Sequence, residues 1–264
     1  MQFALEALAF QIEAHLNNVS LQQHLFSKQV DDIPLNALGN LRSNTFLEDI
    51  QQFVDKRFQT VKFKIGINAE DELWRLQRIR DQFPGLAIRL DANQAWSPIA
   101  AKHYCRQLEP LSIAYCEEPL SEPSVANYEF LSNNTSIPLA LDETVSQDNN
   151  WQKLLAYSSA VIIKPMLLGG FTKNIETKQL ADTHNNTTVF TSSLESGIGR
   201  WLTAILASGS TNRQTAHGIS TGRLLDNDVY SDKSYIRNGN YHLDGQRPLK
   251  MDMKQLQRVS SRLF

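Results

Sequence analysis

The chain has 264 residues, of which 41% are hydrophobic and 20% are charged, and its formal net charge is −2. This composition is ordinary for a soluble globular protein with one large core, and the small net charge gives no indication of a nucleic-acid or anionic-membrane partner. No apolar run approaches the length that spans a membrane, and the N-terminus lacks the basic region of a signal peptide. We therefore expect a cytoplasmic protein in which Cys105 and Cys116 are reduced, buried thiols.

The first part of the chain predicts two helices and a strand. Residues 3–16 are rich in Ala and Leu with polar breaks and predict a helix, whereas the polar stretch 17–32 gives no clear prediction. Residues 33–39 form a short apolar stretch closed by Gly, which predicts a strand. Asn44 or Thr45 then has the character of a helix N-cap. The apolar residues that follow recur at helical spacing: Phe46, Leu47, Ile50, Phe53 and Val54.

The stretch 60–66 alternates polar and apolar residues, as a strand with two different faces does. The period of two puts Lys62 and Lys64 on one face and three apolar side chains on the other. Two adjacent ammonium groups disfavour each other's charge, which is one way to make a lysine neutral enough to act as a base near neutral pH. Taken alone, the pattern also fits an edge strand with two solvated lysines.

Strand-like runs recur from this point at intervals of 22 to 28 residues, and helical patterns lie between them. The runs end near six residues: Lys64, Asp91, Glu117, Asp142, Lys164 and Ser192. Such a repeat is typical of βα units with a parallel sheet. With strands at 33–39 and 214–218 the total is eight, so we predict a (β/α)₈ TIM-like barrel over 33–223. A doubly wound sheet is the alternative, but the Gly-rich phosphate loop that normally follows its first strand is missing.

Three consecutive predicted strands end in a carboxylate, namely Asp91, Glu117 and Asp142. In a barrel these ends converge on the face where active sites lie. Three carboxylates would repel one another unless a cation joined them, and oxygen-only ligands favour Mg²⁺ or Mn²⁺. Each of these residues alone also fits the first turn of a helix, but three at matching positions favour a metal site.

Two lysines flank the carboxylates in the sequence. Lys64 ends the strand before them, and Lys164 ends the strand after them. Across a barrel mouth the two would face each other over the metal. This arrangement suits removal of a proton α to a carboxylate, because one lysine takes the proton and the metal neutralises the charge that develops. We therefore expect a small-molecule carboxylate as the substrate.

Five ordered motifs stand at barrel spacing: Lys62-x-Lys64, Asp91-Ala-Asn93, Glu117-Glu118-Pro119, Asp142-Glu143 and Lys164-Pro165. With them the chain resembles the enolase superfamily, in its muconate-lactonising branch, over nearly its whole length. Three weaker motifs follow: Arg89-Leu-Asp-Ala-Asn93, Leu167-Leu-Gly-Gly170 and Thr191-Ser-Ser-Leu-Glu-Ser196. Within the branch they resemble the o-succinylbenzoate synthase family of menaquinone biosynthesis.

The resemblance implies the reaction. Asp91, Glu117 and Asp142 would hold Mg²⁺. Lys64 would remove the α-proton of 2-succinyl-6-hydroxy-2,4-cyclohexadiene-1-carboxylate and return a proton to the departing hydroxyl, a syn dehydration to 2-succinylbenzoate. Lys164 would stabilise the enediolate from the other face.

The resemblance also implies supporting roles. Lys62 would favour the neutral form of Lys64 and touch the substrate carboxylate, and Arg89 would support the metal site. Three residues would lie behind the ligands: Asn93, Glu118 and Glu143. Ser192 and Ser193 would contact the succinyl group.

Related activities remain open. The mandelate-racemase branch uses a histidine near the end of the seventh strand, whereas His184 lies ahead of that strand here. Dipeptide epimerases carry Asp-x-Asp at the end of the eighth strand, whereas Asp226-Asn-Asp228 falls beyond it and is interpreted as a loop. N-succinylamino-acid racemisation, or another epimerase or cycloisomerase reaction of the branch, needs the same metal and lysines. In racemisation, Lys164 would be the second acid/base.

The resemblance further implies an α+β capping domain that closes over the substrate. Residues 1–32 would be a remnant of that region with a lead-in helix, and residues 224–264 would pack on the cap. The strand-like 241–243 and the apolar Leu249, Met251 and Met253 would then lack a partner. Two other hypotheses follow: a barrel fragment that binds Mg²⁺ weakly and catalyses little, and a metal-free structural barrel.

Overall fold

The computed structural model describes residues 1–210, 212–230 and 235–243. Its α-helices are α1 Gln2–Leu16, α2 Leu21–Leu25, α3 Phe46–Asp55, α4 Ala69–Gln82, α5 Pro98–Leu108, α6 Val125–Ser132, α7 Glu143–Gln147, α8 Pro165–Leu168, α9 Phe171–Thr183 and α10 Gly197–Ser208. Its strands are β1 Asp32–Pro34, β2 Asn36–Gly39, β3 Thr60–Lys64, β4 Ala87–Asp91, β5 Ile113–Glu117, β6 Leu139–Leu141, β7 Ala160–Ile163, β8 Thr187–Phe190, β9 Ile236–Arg237 and β10 Asn240–His242. Short 3-10 helices span Glu109–Leu111, Trp151–Tyr157 and Ser220–Leu224.

Seven strands, β2 to β8, form one parallel sheet in chain order. Each strand of this sheet is followed by at least one helix, so the sheet consists of consecutive βα units. The register places Lys64 opposite Asp91, and Asp91 opposite Glu117. The carboxyl ends of the strands, with their charged side chains, therefore lie at one face of the sheet.

An eighth strand position closes the barrel. His217 bridges to Leu35, and Gly218 bridges to Thr191, both in the parallel sense. The predicted barrel is thus confirmed, with its eighth strand reduced to two bridges. The 3-10 helix Ser220–Leu224 follows at once, and no α-helix follows within the part of the chain that is described.

The side chains of β3 alternate between the two faces of the sheet, as predicted, and a separate apolar cluster lies on each face. Val61 and Phe63 are fully buried in the large core between the sheet and the helices. A second, smaller apolar cluster fills the barrel interior with side chains from four strands: Tyr115, Ala140, Ala160, Ile162 and Val189. Lys62 lies on the opposite face of β3 from the large core, as period two requires.

The predicted strand 33–39 is two strands rather than one. Its first half, β1, pairs antiparallel with β10 in a small sheet of order β1-β10-β9, and its second half, β2, enters the barrel. Tyr241 lies opposite Ile33 in this small sheet, so the expectation that 241–243 lacks a partner is wrong. Leu249, Met251 and Met253 lie outside the described residues.

Helix α1 is apolar on two faces. Its buried face packs on α9, where the rings of Phe3 and Phe171 stack with their centroids 5.0 Å apart. The other face is exposed at Leu5, Leu8 and Ile12, which are 61%, 55% and 52% accessible to solvent. Among the described residues, no helix combines the length and the apolar character that a membrane crossing needs.

The polar stretch 17–32, which has no clear helical or strand pattern, contains α2. Ser20 accepts a hydrogen bond from the Gln23 amide, and the Gln23 side chain accepts one from the Ser20 amide. This capping box satisfies two amides that the start of a helix leaves without partners.

Candidate active site and metal centre

Three carboxylates meet at the carboxyl ends of β4, β5 and β6. Asp91, Glu117 and Asp142 are buried, and one carboxylate oxygen of each lies within 4.8 Å of the others. The pKa of Glu117 is raised by burial, with Asp91 and Asp142 adding to the effect and Lys62 opposing it. Such crowding is costly without a cation. The donor set consists of hard oxygen atoms only, so these residues could hold a divalent metal ion.

One oxygen of the group has no hydrogen-bond partner. Asp142 Oδ1 is buried, and no described residue donates to it. A buried carboxylate oxygen normally receives a hydrogen bond or binds a cation, because leaving it bare costs free energy. This oxygen therefore fits a metal ligand, in agreement with the predicted site.

Glu118 fixes the backbone around Asp142. This carboxylate is fully buried, and it accepts hydrogen bonds from the Asp142 amide at 2.7 Å and the Thr144 amide at 3.1 Å. It also accepts from Thr144 Oγ1 at 2.5 Å and from the Tyr128 hydroxyl at 3.3 Å. Burial raises the pKa of Glu118, while the hydrogen bonds from Thr144 and Asp142 oppose the rise. The side chain ties the end of β5 to the end of β6, where two of the three carboxylates begin.

The two lysines of β3 have different surroundings. Lys62 Nζ lies 2.8 Å from Asp91 Oδ2 and also contacts the Glu117 carboxylate. Burial opposes its charge, but Glu117 and Asp91 outweigh burial and raise the pKa of Lys62. Lys64, by contrast, is exposed and donates to Asn93 Oδ1 at 2.9 Å. Lys62 is thus held as a cation among the carboxylates, and Lys64 is accessible from outside.

Lys164 approaches the carboxylates from the end of β7. Its Nζ lies 2.6 Å from Asp142 Oδ2 and 3.1 Å from Glu143 Oε1. Burial lowers the pKa of Lys164, but Asp142 and Glu143 reverse this and raise it. Counted from β2, β3 is the second and β7 the sixth of eight positions around the barrel, so Lys64 and Lys164 enter from opposite sides.

Arg89 lies within strand β4, and Asn93 lies just beyond the end of that strand at the mouth of the barrel. Arg89 Nη1 donates to the Ala216 carbonyl at 2.6 Å, and its guanidinium lies 4.9 Å from the centroid of the Tyr115 ring. Arg89 therefore links β4 to the residue before the eighth strand. Asn93, at the mouth, donates its amide to Asp91 Oδ1 at 3.1 Å. Its contacts join the predicted base to a predicted metal ligand.

Ser192 and Ser193 begin the turn that follows β8, and both donate to one carboxylate. Their hydroxyl groups lie 3.1 Å from Glu195 Oε2. Ser192 Oγ also accepts from Thr221 Oγ1 at 2.8 Å and from the Leu194 amide at 3.0 Å. The hydroxyl of Ser192 is thus engaged within the protein by three hydrogen bonds, and its contact with the succinyl group stays a prediction.

Three groups that organise this face are not among the residues for which the sequence predicts a role. Thr144 and Tyr128 bind Glu118, and Glu195 binds the serines. The Ser-x-x-Glu spacing of Ser192 and Glu195 was the available signal for the last of these. The contacts of Thr144 and Tyr128 with Glu118 depend on tertiary packing and have no comparable sequence pattern.

A family model described as enolase C-terminal domain-like matches residues 45–248 of this chain. The chain belongs to this family. The o-succinylbenzoate synthase of Citrobacter koseri is 33% identical to this enolase-like chain over 171 residues, 63% of this chain and 52% of that protein. The o-succinylbenzoate synthase of Bacillus subtilis is 24% identical over 254 residues, 95% of this chain and 67% of that protein. An N-succinylamino acid racemase of Thermus thermophilus is 24% identical over 195 residues, 73% of this chain and 52% of that protein.

Solved structures share the fold of this enolase-like chain. A member of the enolase superfamily from Listeria innocua has a TM-score of 0.83 at 18% identity, covering 96% of this chain and 69% of that chain. The muconate cycloisomerase of Pseudomonas fluorescens has a TM-score of 0.80 at 22% identity, covering 89% of this chain and 67% of that chain. The chain thus spans about half to two thirds of the length of the proteins it resembles.

Proposed function

We propose that this chain is the catalytic barrel of an o-succinylbenzoate synthase, a lyase of menaquinone biosynthesis. One observation carries the proposal: three buried carboxylates at consecutive strand ends lie between two lysines that enter from opposite sides of the barrel. The C. koseri and B. subtilis relatives carry the same name. The site of action would be the cytoplasm.

The carboxylates would hold Mg²⁺ or Mn²⁺. When bound to Asp91, Glu117 and Asp142, such an ion supplies positive charge that stabilises the negative charge developing on the substrate carboxylate. The bare Asp142 Oδ1 and the all-oxygen donor set support this assignment. Glu118 would keep Asp142 in place as the charge at the site changes during the reaction.

Lys64 would act as the base and then as the acid. Its Nζ removes the proton from C1 of the cyclohexadiene, and the electron pair of that C–H bond moves into the C1 carboxylate as the enediolate. This pair then returns to form the C1–C6 double bond as the hydroxyl leaves C6. The same ammonium group then protonates the hydroxyl leaving C6, so the C–O bond breaks, water departs and the ring becomes aromatic. Because one group on one face does both, the dehydration is syn. Asn93 accepts a hydrogen bond from Lys64 and would hold it at the mouth between the two steps.

Lys164 would remain protonated on the opposite face. Its ammonium group, held by Asp142 and Glu143, would offset the negative charge of the enediolate. Lys62 would add a second fixed positive charge beside the ligands. Neither lysine needs to transfer a proton in this reaction.

N-succinylamino-acid racemisation is the second candidate. It is favoured by the same opposed lysines, since a racemase needs an acid/base on each face of the α-carbon, and the T. thermophilus relative bears that name. In this reaction Lys164 would deliver or remove a proton, so substitution of Lys164 would abolish exchange on one face only.

A capping domain is the third part of the proposal. The barrel would be 33–223, residues 1–32 would lead in from the cap, and residues 224–264 would pack against it. The exposed apolar face of α1 supports this division, because an unpartnered apolar stripe is unusual on a soluble protein. Glu6 of α1 accepts a hydrogen bond from the Thr172 amide at 2.9 Å, close to the loop that follows Lys164. A domain seated on α1 could therefore reach the catalytic face.

The test is turnover of the cyclohexadiene substrate by the purified chain with Mg²⁺, followed by the absorbance of the aromatic product. A parallel sample contains an N-succinylamino acid in D₂O, and deuterium at the α-carbon is measured. Product formation supports the synthase, whereas exchange alone supports the racemase. If both assays fail in a folded sample and also after a separately prepared capping domain is added, the proposal is wrong and the poorly active barrel remains.

A further inference from the structure

Glu195 is a half-buried carboxylate that lies within hydrogen-bond distance of four protein donors. Its Oε2 accepts from the Ser193 amide at 2.6 Å and from both serine hydroxyls of the turn at 3.1 Å. Thr203 Oγ1, two turns into α10, lies 3.1 Å from Glu195 Oε1 and 3.0 Å from the Gly199 carbonyl, and its one proton is shared between these two acceptors. One side chain thus clamps the turn after β8 to the body of the following helix.

The backbone of Glu195 is fixed as well. Arg200 is almost fully buried, and its Nη1 donates to the Glu195 carbonyl at 2.7 Å while its Nη2 lies 2.9 Å from Asp228 Oδ2. Gly199 makes room for the side chain, because a Cβ at this position would lie 2.4 Å from Glu195 Cγ. Asp228, in the loop beyond the eighth strand, also accepts from the Gly197 amide at 2.9 Å.

The clamped turn contains a strained residue. Leu194 has φ of +68°, in the left-handed region that side chains other than Gly, Asn and Asp adopt at a cost. Its amide is held by Ser192 Oγ, and its side chain is 56% exposed to solvent. A strained residue persists only where its surroundings enforce the conformation, and here the hydrogen bonds to Glu195 and Ser192 do so.

The turn adjoins the proposed active site. Thr191, the residue directly before the turn, donates its amide to the Ile163 carbonyl at 2.9 Å, directly before Lys164. The turn therefore lies at the carboxyl end of the barrel, on the same face as the carboxylates. Backbone strain at such a position is often part of a preorganised binding site.

We propose that Glu195 is a positioning residue that holds the turn 192–194 in its left-handed form and so preforms one wall of the substrate site beside Lys164. The inference rests on the proposed function for the identity of the site. Glu195 would act through the turn and not on the substrate, because four protein donors lie within hydrogen-bond distance of its oxygens. Loss of the clamp would let the turn relax, and substrate would then have to order it again on binding.

If Glu195 only holds the turn, its loss should raise KM and leave kcat nearly unchanged. Substitution E195Q removes the charge and one of the two acceptor oxygens, and we expect KM to rise by about tenfold with kcat within about twofold. In the L194N background the same substitution should raise KM by less than about threefold, because Asn adopts the left-handed conformation without help. E176Q, at an exposed glutamate of α9, is the matched control and should change neither constant.

Hydrogen exchange gives a readout that does not depend on turnover. The amides of Ser193 and Leu194 are bonded to Glu195 and Ser192, so peptides covering 191–196 should exchange faster in E195Q and in T203V than in wild type or E176Q. If wild type shows no turnover, with or without an added capping domain, the proposed function fails, and exchange alone decides whether Glu195 holds the turn. Equal exchange in E195Q and wild type would overturn the inference. So would a KM effect of E195Q that is the same in both backgrounds, or a loss confined to kcat.

Discussion

Lys164 Nζ lies 2.6 Å from Oδ2 of Asp142, while Oδ1 of the same carboxylate is buried with no hydrogen-bond partner among the described residues. The carboxylate thus has one oxygen committed to the protein and one left for a ligand. Glu118 holds the Asp142 backbone from behind. A cation could therefore bind Asp142 through Oδ1, because Oδ2 is already paired with Lys164.

Substitution D142N tests the metal site. In wild type, Mg²⁺ at about 100 times its Kd should stabilise the fold by about 2.7 kcal/mol, which for a chain of this size corresponds to a rise in Tm of about 5 °C or more. D142N retains the shape of the side chain but removes the charge, so most of this rise should disappear. Differential scanning calorimetry with and without MgCl₂ measures it.

The matched control for D142N is D81N, at an exposed aspartate of α4. This variant should respond to Mg²⁺ as wild type does. An equal Mg²⁺ response in D142N would place the ion elsewhere, and no response in wild type would favour the metal-free structural barrel.

Substitution E118A tests the support behind Asp142. The change removes the acceptor of four hydrogen bonds in a fully buried position and leaves a cavity, so we expect a loss of about 2–4 kcal/mol in the free energy of unfolding. Metal affinity should fall by about 10- to 100-fold, because the ligand is no longer oriented. Urea unfolding and Mg²⁺ titration measure the two effects. E122A, an exposed glutamate on the same loop, should alter neither, and a stable E118A with unchanged metal affinity would contradict the role.

Because His217 is buried, we expect the free energy of unfolding to fall at acidic pH. His217 is buried in the eighth strand position, where burial first and the charge of Arg89 second lower its pKa from 6.5 to about 3. Its Nδ1 accepts from the Phe190 amide at 3.0 Å, so the neutral form is part of the barrel closure. The unfolded state binds the proton more readily, and the stability contributed by neutral His217 is therefore complete above pH 6.5 and lost as the pH falls toward 3.

The size of this effect is measurable. Between about pH 6 and pH 4, one extra proton taken up on unfolding makes the free energy of unfolding fall by about 1.4 kcal/mol per pH unit. H217N retains an acceptor near the Phe190 amide and should remove this part of the slope, as measured by urea unfolding over that range. H103N, at an exposed histidine of α5, should keep the wild-type slope. A wild-type slope in H217N would show that the proton binds elsewhere.

The barrel and the candidate site were predictable for a common physical reason. In a parallel strand, successive side chains point to opposite faces, and the carboxyl ends of all strands lie at one end of the barrel. Apolar runs that end in Asp91, Glu117 and Asp142 therefore predict the strands and also predict that the three carboxylates lie close together. The alternation of β3 likewise predicted that Lys62 and Lys64 lie apart from its buried apolar face.

The features that were missed depend on distant parts of the chain. The division of 33–39 into two strands follows from pairing of Ile33 with Tyr241, more than two hundred residues away. The eighth strand is only a pair of bridges at His217 and Gly218, too short for a periodic pattern. The clamp at Glu195 depends on packing against α10, which local spacing alone does not encode.

The role of Lys64 as the base is tested most directly by turnover of the cyclohexadiene substrate by wild type and K64A with Mg²⁺. Lys64 is exposed, and the structure gives its side chain one hydrogen bond, to Asn93, so K64A should change stability by no more than about 0.5 kcal/mol. K153A, at an exposed lysine on a 3-10 helix away from the carboxylates, is the control. If Lys64 is the base, turnover should fall at least about 100-fold in K64A and should be unchanged in K153A. Turnover by a folded K64A within a few-fold of wild type would contradict the assignment of Lys64 as the base.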